Sequence, residues 1–151
     1  MLLTVTTGNG DDSCPSRNFT CLNEVRLGKV SGAVQSALIS ALSIPPEDFF
    51  QIIHVLPKSQ FRHTPSFLGL NYSDDLIVLE ITFISGRPKE RRLGLLKALN
   101  DAVVSAAGIS PDDLLITLYE TPGENISFGR GLAQRAHVAD QYAAPAQAAE
   151  A

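Results

Sequence analysis

With 151 residues, 44% of them hydrophobic and 19% charged, the chain has the size and composition of one soluble globular domain that needs no disulfide or metal staple to fold. The 12 basic residues against 16 acidic ones give a net charge of -4, and no basic run exceeds Arg91-Arg92, which excludes the electrostatic footprint of a nucleic-acid or anionic-membrane binder. No stretch approaches the ~18 apolar residues of a membrane span, and the amino terminus lacks the basic flank and apolar run of a secretory signal, so a cytoplasmic location is expected.

Met1 to Thr7, MLLTVTT, carries the first strand signal. Gly8, Gly10, Asp11, Asp12, Ser13 and Pro15 are loop-forming types, so residues 8 to 17 are expected to be an inserted loop. Cys14 and Cys21 stand in a polar stretch with no histidine near, and His54 and His63 lack any HxH or HExxH spacing. Two free thiols, no metal and no cofactor are therefore expected. From Glu24 to Leu42 the residues Leu27, Val30, Val34, Ala37, Leu38 and Leu42 recur at three and four positions, one face of a helix. Phe49 to Leu56 predicts a short strand that stops at Pro57.

The longest strand signal is Leu76 to Ile84, LIVLEITFI, interrupted only by Glu80, which faces either a sheet edge or an interface. Leu95, Leu96, Leu99, Ala102, Val103 and Ala106 then predict a second helix over Pro88 to Ala107, with Pro88 in its first turn and Gly108 as its carboxyl-terminal cap. Leu114 to Thr121 is the last strand, stopped by Pro122. Residues 1 to 134 form the expected domain and 135 to 151 a tail that ends in low-complexity QYAAPAQAAEA.

An internal repeat organises these elements. Ile44-Pro45-Pro46-Glu47-Asp48-Phe49-Phe50 is echoed by Ile109-Ser110-Pro111-Asp112-Asp113-Leu114-Leu115, with matched residues 65 apart. Each echo follows a helix and enters a strand, so the order is β-α-β followed by β-α-β. Right-handed crossovers make each half a parallel pair under its helix. The expected fold is α/β: a tandem β-α-β repeat forming a four-stranded mixed sheet with both helices on one face. The other face carries apolar residues as well, which calls for a partner subunit.

The repeat, the PPEDFFQ segment at Pro45 to Gln51, the LGLNYSDDLIVLEITFISGR run at Leu68 to Arg87 and ENISFGRG at Glu124 to Gly131 resemble the tautomerase superfamily. Within it they are most similar to malonate semialdehyde decarboxylase and the related 4-oxalocrotonate tautomerase-like proteins. The resemblance implies a homotrimer with active sites beside the start of the first strand. In that family an exposed amino-terminal proline serves as base or acid, arginines hold the substrate carboxylate in forked hydrogen bonds, and an aspartate assists.

Carried over to this chain, the resemblance places Asp48 at the active-site aspartate and Arg87 at the arginine before the second helix, while Ser85 stands where a further arginine belongs and Ile126 where an aromatic is usual. Residue 2 is Leu rather than Pro, bulky enough that methionine removal is not expected, so Met1 and its primary amine take the proline's place. A cut exposing Pro15 is the other route to a terminal proline, but the residues after it are too polar for a central strand. The catalytic candidates are Met1 and Asp48; the substrate-binding candidates are Arg87, Leu2, Ile126 and Phe128.

Two residues keep a second reading. Asp48 has a repeat counterpart in Asp113, so it is either a site residue or the holder of a turn. Arg87 precedes a helix amino terminus, an unfavourable place for a cation, and is either an anion ligand or a solvated loop charge. The implied function is binding of a small 2-oxo acid or unsaturated carboxylate with weak or absent tautomerase, decarboxylase or dehalogenase activity, an isomerase or lyase if active. The alternative is a noncatalytic trimeric binding or structural protein on the same fold.

Overall fold

Along the strand Ile77–Ile84 the side chains alternate without a break: Ile77, Leu79, Ile81 and Phe83 are buried, and Val78, Glu80, Thr82 and Ile84 are half-buried. That period of two means one face of the sheet is sealed by the chain's own core and the other is not. The computed structural model describes residues 1 to 10 and 17 to 137. Its elements are β1 (Leu2–Gly10), α1 (Arg17–Leu42), β2 (Gln51–Pro57), a small hairpin of β3 (Ser66–Phe67) and β4 (Leu70–Asn71), β5 (Ile77–Ile84), α2 (Lys89–Ala107) and β6 (Leu114–Thr121).

The main sheet runs β2-β1-β5-β6. β1 pairs parallel with β2, β5 pairs parallel with β6, and the two inner strands meet antiparallel with Leu2 opposite Thr82 and Thr7 opposite Ile77. The expected tandem repeat and four-stranded mixed sheet are thus present, with a local two-fold between the halves. Both helices pack on one face, where Val30, Val34 and Leu38 of α1 and Leu95, Leu99 and Val103 of α2 close over Leu3, Val5, Leu79 and Ile81. Each such buried aliphatic side chain contributes about 1.5 to 3 kcal/mol of transfer free energy.

The two halves differ in length. Leu3 pairs with Gln51, 48 positions on, whereas Leu79 pairs with Ile116, 37 positions on, so the first half carries 11 more residues between its strands. Most of the surplus lengthens a helix: α1 has 26 residues and α2 has 19. Gly8 to Gly10 continue β1 and Arg17 opens α1, which corrects the expected loop at both ends; residues 11 to 16 of that loop lie outside the described residues. Gly8 serves as a strand residue that leaves room for a neighbour, since a Cβ there would stand 2.6 Å from Cδ1 of Phe61. Of the tail, only Arg135 to His137 fall within the described residues.

The helix ends repeat as well. Gly108 (φ 66°) closes α2 by donating its N–H to the Val104 carbonyl at 2.9 Å, and Ser43 (φ 54°) closes α1 by donating to the Ile39 carbonyl at 2.9 Å. A non-glycine residue at positive φ costs roughly 1 kcal/mol, and only the glycine was legible as a cap. Pro88 sits at the cap position just before α2 rather than inside its first turn.

On the face away from the helices, Leu2, Ile52, Leu115 and Tyr119 are exposed. No helix or strand among the described residues covers them. Glu80 lies on that face, where its Oε1 accepts the Tyr119 hydroxyl at 3.2 Å. This hydrogen bond, and the carboxylate's charge behind it, raise the phenol above its usual value of 10.0.

Candidate active site

Strand pairing carries the chain's amino terminus to the corner before β2. The Leu3 N–H donates to the Phe50 carbonyl at 3.0 Å, which sets Met1 beside the Pro45-Pro46-Glu47-Asp48 turn. Within that turn the Asp48 N–H donates to the Pro45 carbonyl at 3.0 Å, so backbone alone closes it and the carboxylate is left for other work. The Met1 amine donates to Asp48 Oδ1 at 2.7 Å. The Met1 side chain is 2% exposed and that of Asp48 20%, so this is a charge-assisted bond at the edge of the core rather than a solvated pair.

The repeat supplies the control. At the matching corner the Asp113 N–H donates to the Ser110 carbonyl at 2.9 Å, the same turn, but Oδ1 and Oδ2 of Asp113 accept the Ser73 N–H and hydroxyl, each at 2.6 Å. Neither carboxylate holds its own turn. Asp113 ties down the segment entering β5, and Asp48 meets the terminal amine.

Because β1 and β5 run antiparallel, the end of β5 reaches the start of β1 and brings Arg87 to the same place. Its Nη1 donates to the Ile84 carbonyl at 2.8 Å and its guanidinium lies 5.3 Å over the Phe83 ring. These contacts hold a half-buried cation in one orientation, against the adverse field of the α2 amino terminus. After β6 the chain turns at Gly129, Arg130 and Gly131, all at positive φ, and presents Phe128, whose ring is 6.0 Å from that of Phe50. Glycine suits two of these three positions, and Arg130 (φ 58°) adopts the third at a cost.

These side chains enclose a cavity of about 220 Å³ lined by Met1, Ile44, Asp48, Phe83, Arg87, Phe128 and Arg135, among others. A second hollow of about 210 Å³ shares Asp48, Phe128 and Arg135 and adds Glu47 and Phe50. Of the expected site residues, Met1, Asp48, Arg87 and Phe128 come together. Leu2 does not; it alternates with buried Met1 and Leu3 and points to the open sheet face. Ile126 is half-buried and absent from the cavity wall.

Phe83 and Arg135 were not among the sequence candidates. Phe83 was available from the alternation of β5, whereas Arg135 lies past the repeat and past the expected boundary at 134, where nothing marks it. Among the described residues no three His, Cys, Asp or Glu side chains gather as metal ligands. The site offers one amine, one carboxylate, guanidinium groups and apolar walls, a set suited to holding a small carboxylate and moving a proton beside it.

The family model described as tautomerase enzyme matches residues 48 to 129, from the aspartate of the site to the turn that carries Phe128. Probable tautomerase YusQ of Bacillus subtilis (strain 168) is 31% identical over 112 residues, 74% of this chain and 88% of that protein. Among solved structures, a malonate semialdehyde decarboxylase superposes with a TM-score of 0.74 at 24% identity, covering 93% of this chain and 98% of that one. A fused 4-OT described as a symmetric trimer superposes with a TM-score of 0.68 at 19% identity, covering 90% and 98%. With its tandem β-α-β units and a family match that runs from residue 48 to 129, the chain belongs to the tautomerase family.

Proposed function

We propose that the cavity binds a small 2-oxo acid or unsaturated carboxylate, and that proton transfer there depends on the Met1 primary amine, leaving tautomerase, decarboxylase or dehalogenase activity weak or absent. The observation that carries this reading is the Met1 amine 2.7 Å from Asp48 Oδ1 on the wall of a cavity that also holds Arg87. Arg87, held by the Ile84 carbonyl, is the group that takes the ligand carboxylate. The carbonyl of a 2-oxo acid then lies toward Met1 and Asp48. Enolisation requires one group to take the α-proton and another to give a proton to the carbonyl oxygen. The amine and Asp48 are suited to these tasks, but each is already engaged with the other, so the substrate must displace part of that bond before either can act.

The neighbours' names, a probable tautomerase for YusQ and a malonate semialdehyde decarboxylase among the solved structures, support this reading. The open sheet face supports a homotrimer, the assembly named for the fused 4-OT, with Leu2, Ile52, Leu115 and Tyr119 as the apolar contacts.

The test is a screen with phenylpyruvate-type enols and halogenated acrylates. Turnover that is slow, that disappears in Asp48→Ala and Arg87→Ala, and that rises when a proline is inserted after Met1 supports the reading. Ordinary enzymatic rates that survive Asp48→Ala defeat it. Intact-mass analysis of the purified protein checks the starting residue on which the proposal rests. A carboxylate that stabilises the fold without being turned over leaves binding as the function.

A further inference from the structure

Two side-chain amides bracket the Asp48 corner and fasten it to one turn of α1. Gln35 Nε2 donates to the Pro46 carbonyl at 3.4 Å, and Gln51 Nε2 donates to the Ser31 carbonyl at 3.3 Å. Ser31 and Gln35 are neighbours on one helix face, and Pro46 and Gln51 stand on either side of Asp48. The corner gains from outside donors because Pro45 and Pro46 carry no N–H, and the Asp48 N–H is already given to the Pro45 carbonyl.

Stability does not account for these amides. Gln35 is 9% exposed, and among the described residues neither its Oε1 nor that of Gln51 has a hydrogen-bond partner. A buried amide with its oxygen unsatisfied costs stability that a methionine of the same length would not. The second half of the repeat shows the alternative. Val30, Val34 and Leu38 match Leu95, Leu99 and Val103 at the offset of 65, so Asn100 stands for Gln35 and Ile116 for Gln51. Asn100 is one methylene shorter and its side chain hydrogen-bonds Asp101, while Ile116 has no side-chain donor. Asp113 at that corner is held by Ser73 instead. The amide straps therefore stand at the corner whose aspartate lines a cavity, not at the one whose aspartate is consumed by the fold.

We propose that Gln35 and Gln51 are positioning residues, which fix the Asp48 carboxylate at the cavity by holding residues 46 and 51 against α1. Neither lines the cavity or the outer hollow, so both act through Asp48 rather than on a ligand. A group that moves a proton must stay within hydrogen-bond reach of the reacting atom, and a misplacement of about 1 Å costs up to about a hundredfold in rate. The proposal rests on the reading of Asp48 as a working group of this site and deepens it.

The experiment compares Gln35→Met, Gln51→Met and the double variant with wild type and Asp48→Ala, all in the full chain. Each is followed by urea unfolding, by kcat and KM for phenylpyruvate, and by carbon NMR of the aspartate carboxyl groups, with signals assigned from Asp48→Ala and Asp113→Ala. The Asp48 signal is expected to shift in each single variant and further in the double, while the Asp113 signal stays and the urea midpoint holds or rises. Turnover, where wild type shows it, falls about tenfold in kcat with KM within about twofold. Lowered urea midpoints with an unmoved Asp48 signal mean that the amides serve the fold alone, and the proposal is wrong. An Asp48 signal that stays in place in the double variant overturns it whatever the kinetics. If kcat survives Asp48→Ala, the reading of the site falls, and the carboxyl signals alone decide whether the straps hold Asp48.

Discussion

Asp48 and Asp113 occupy the same corner of a repeated unit, and their backbones do the same thing while their side chains do not. Each N–H closes an identical turn onto the carbonyl three residues back, and each aspartate leads into an outer strand. The difference lies in what precedes the inner strand. By sheet register, Met1 stands where Ile77 stands in the second half. At Ile77 the chain continues backward, so Asp113 is consumed by Ser73 and the connection from β2 fills that end of the sheet, with Phe61 lying on Gly8. At Met1 the position presents an amine, and a cavity opens in front of it. The repeat supplies two equivalent corners; at one of them the aspartate meets the Met1 amine beside a cavity.

The sharpest way to break this contrast is to remove each carboxylate in turn. Asp48→Ala is expected to lower any turnover by about a hundredfold or more, the usual scale for an acid or base group. Asp113→Ala should act on stability and leave the kinetics alone. Asp113 is 3% exposed, and losing it removes both of its hydrogen bonds to Ser73 at a cost of about 1 to 2 kcal/mol, read from urea unfolding. Equal effects at the two corners would erase the distinction.

The open sheet face gives the next test. Ile52→Asp places a charge among the exposed apolar residues and is expected to convert an assembled species to monomer in light scattering, with the monomer still folded. A smaller effect separates the two helix caps. Ser43→Gly should raise stability by about 0.5 to 1 kcal/mol and Gly108→Ser lower it by a similar amount, because both positions hold positive φ and only glycine does so without strain.

The smallest effect is electrostatic. The Tyr119 phenol is raised by its hydrogen bond to Glu80, so that bond's stabilisation is present below the ordinary tyrosine range and is lost as pH climbs through the raised value. Glu80→Gln should move the ultraviolet titration of that tyrosine back toward 10.0.

Much of the fold was legible because its signals are local. Three-to-four spacing marked both helices, and β-branched runs marked the strands. Two prolines marked strand ends, and the echo of Ile44 to Phe50 in Ile109 to Leu115 declared the repeat. The start of α1 at Arg17 was hidden because its first residues, RNFT, carry no apolar period that would separate a helix from a loop. The closure of α1 at Ser43 was hidden because serine does not announce positive φ.

The sequence by itself determined the order of the elements and the inward face of each helix, since these follow from periodicity and turn chemistry between near neighbours, and the likeness of its motifs pointed to the family. Only the tertiary structure decided which aspartate meets an amine, which residues pair 47 and 40 positions apart, and that Arg135 comes back to the cavity. Contacts at such separations are set by sheet register and by a backbone approach at Gly123. Neither leaves a period in the chain, so two corners that read almost alike as sequence part company only when folded.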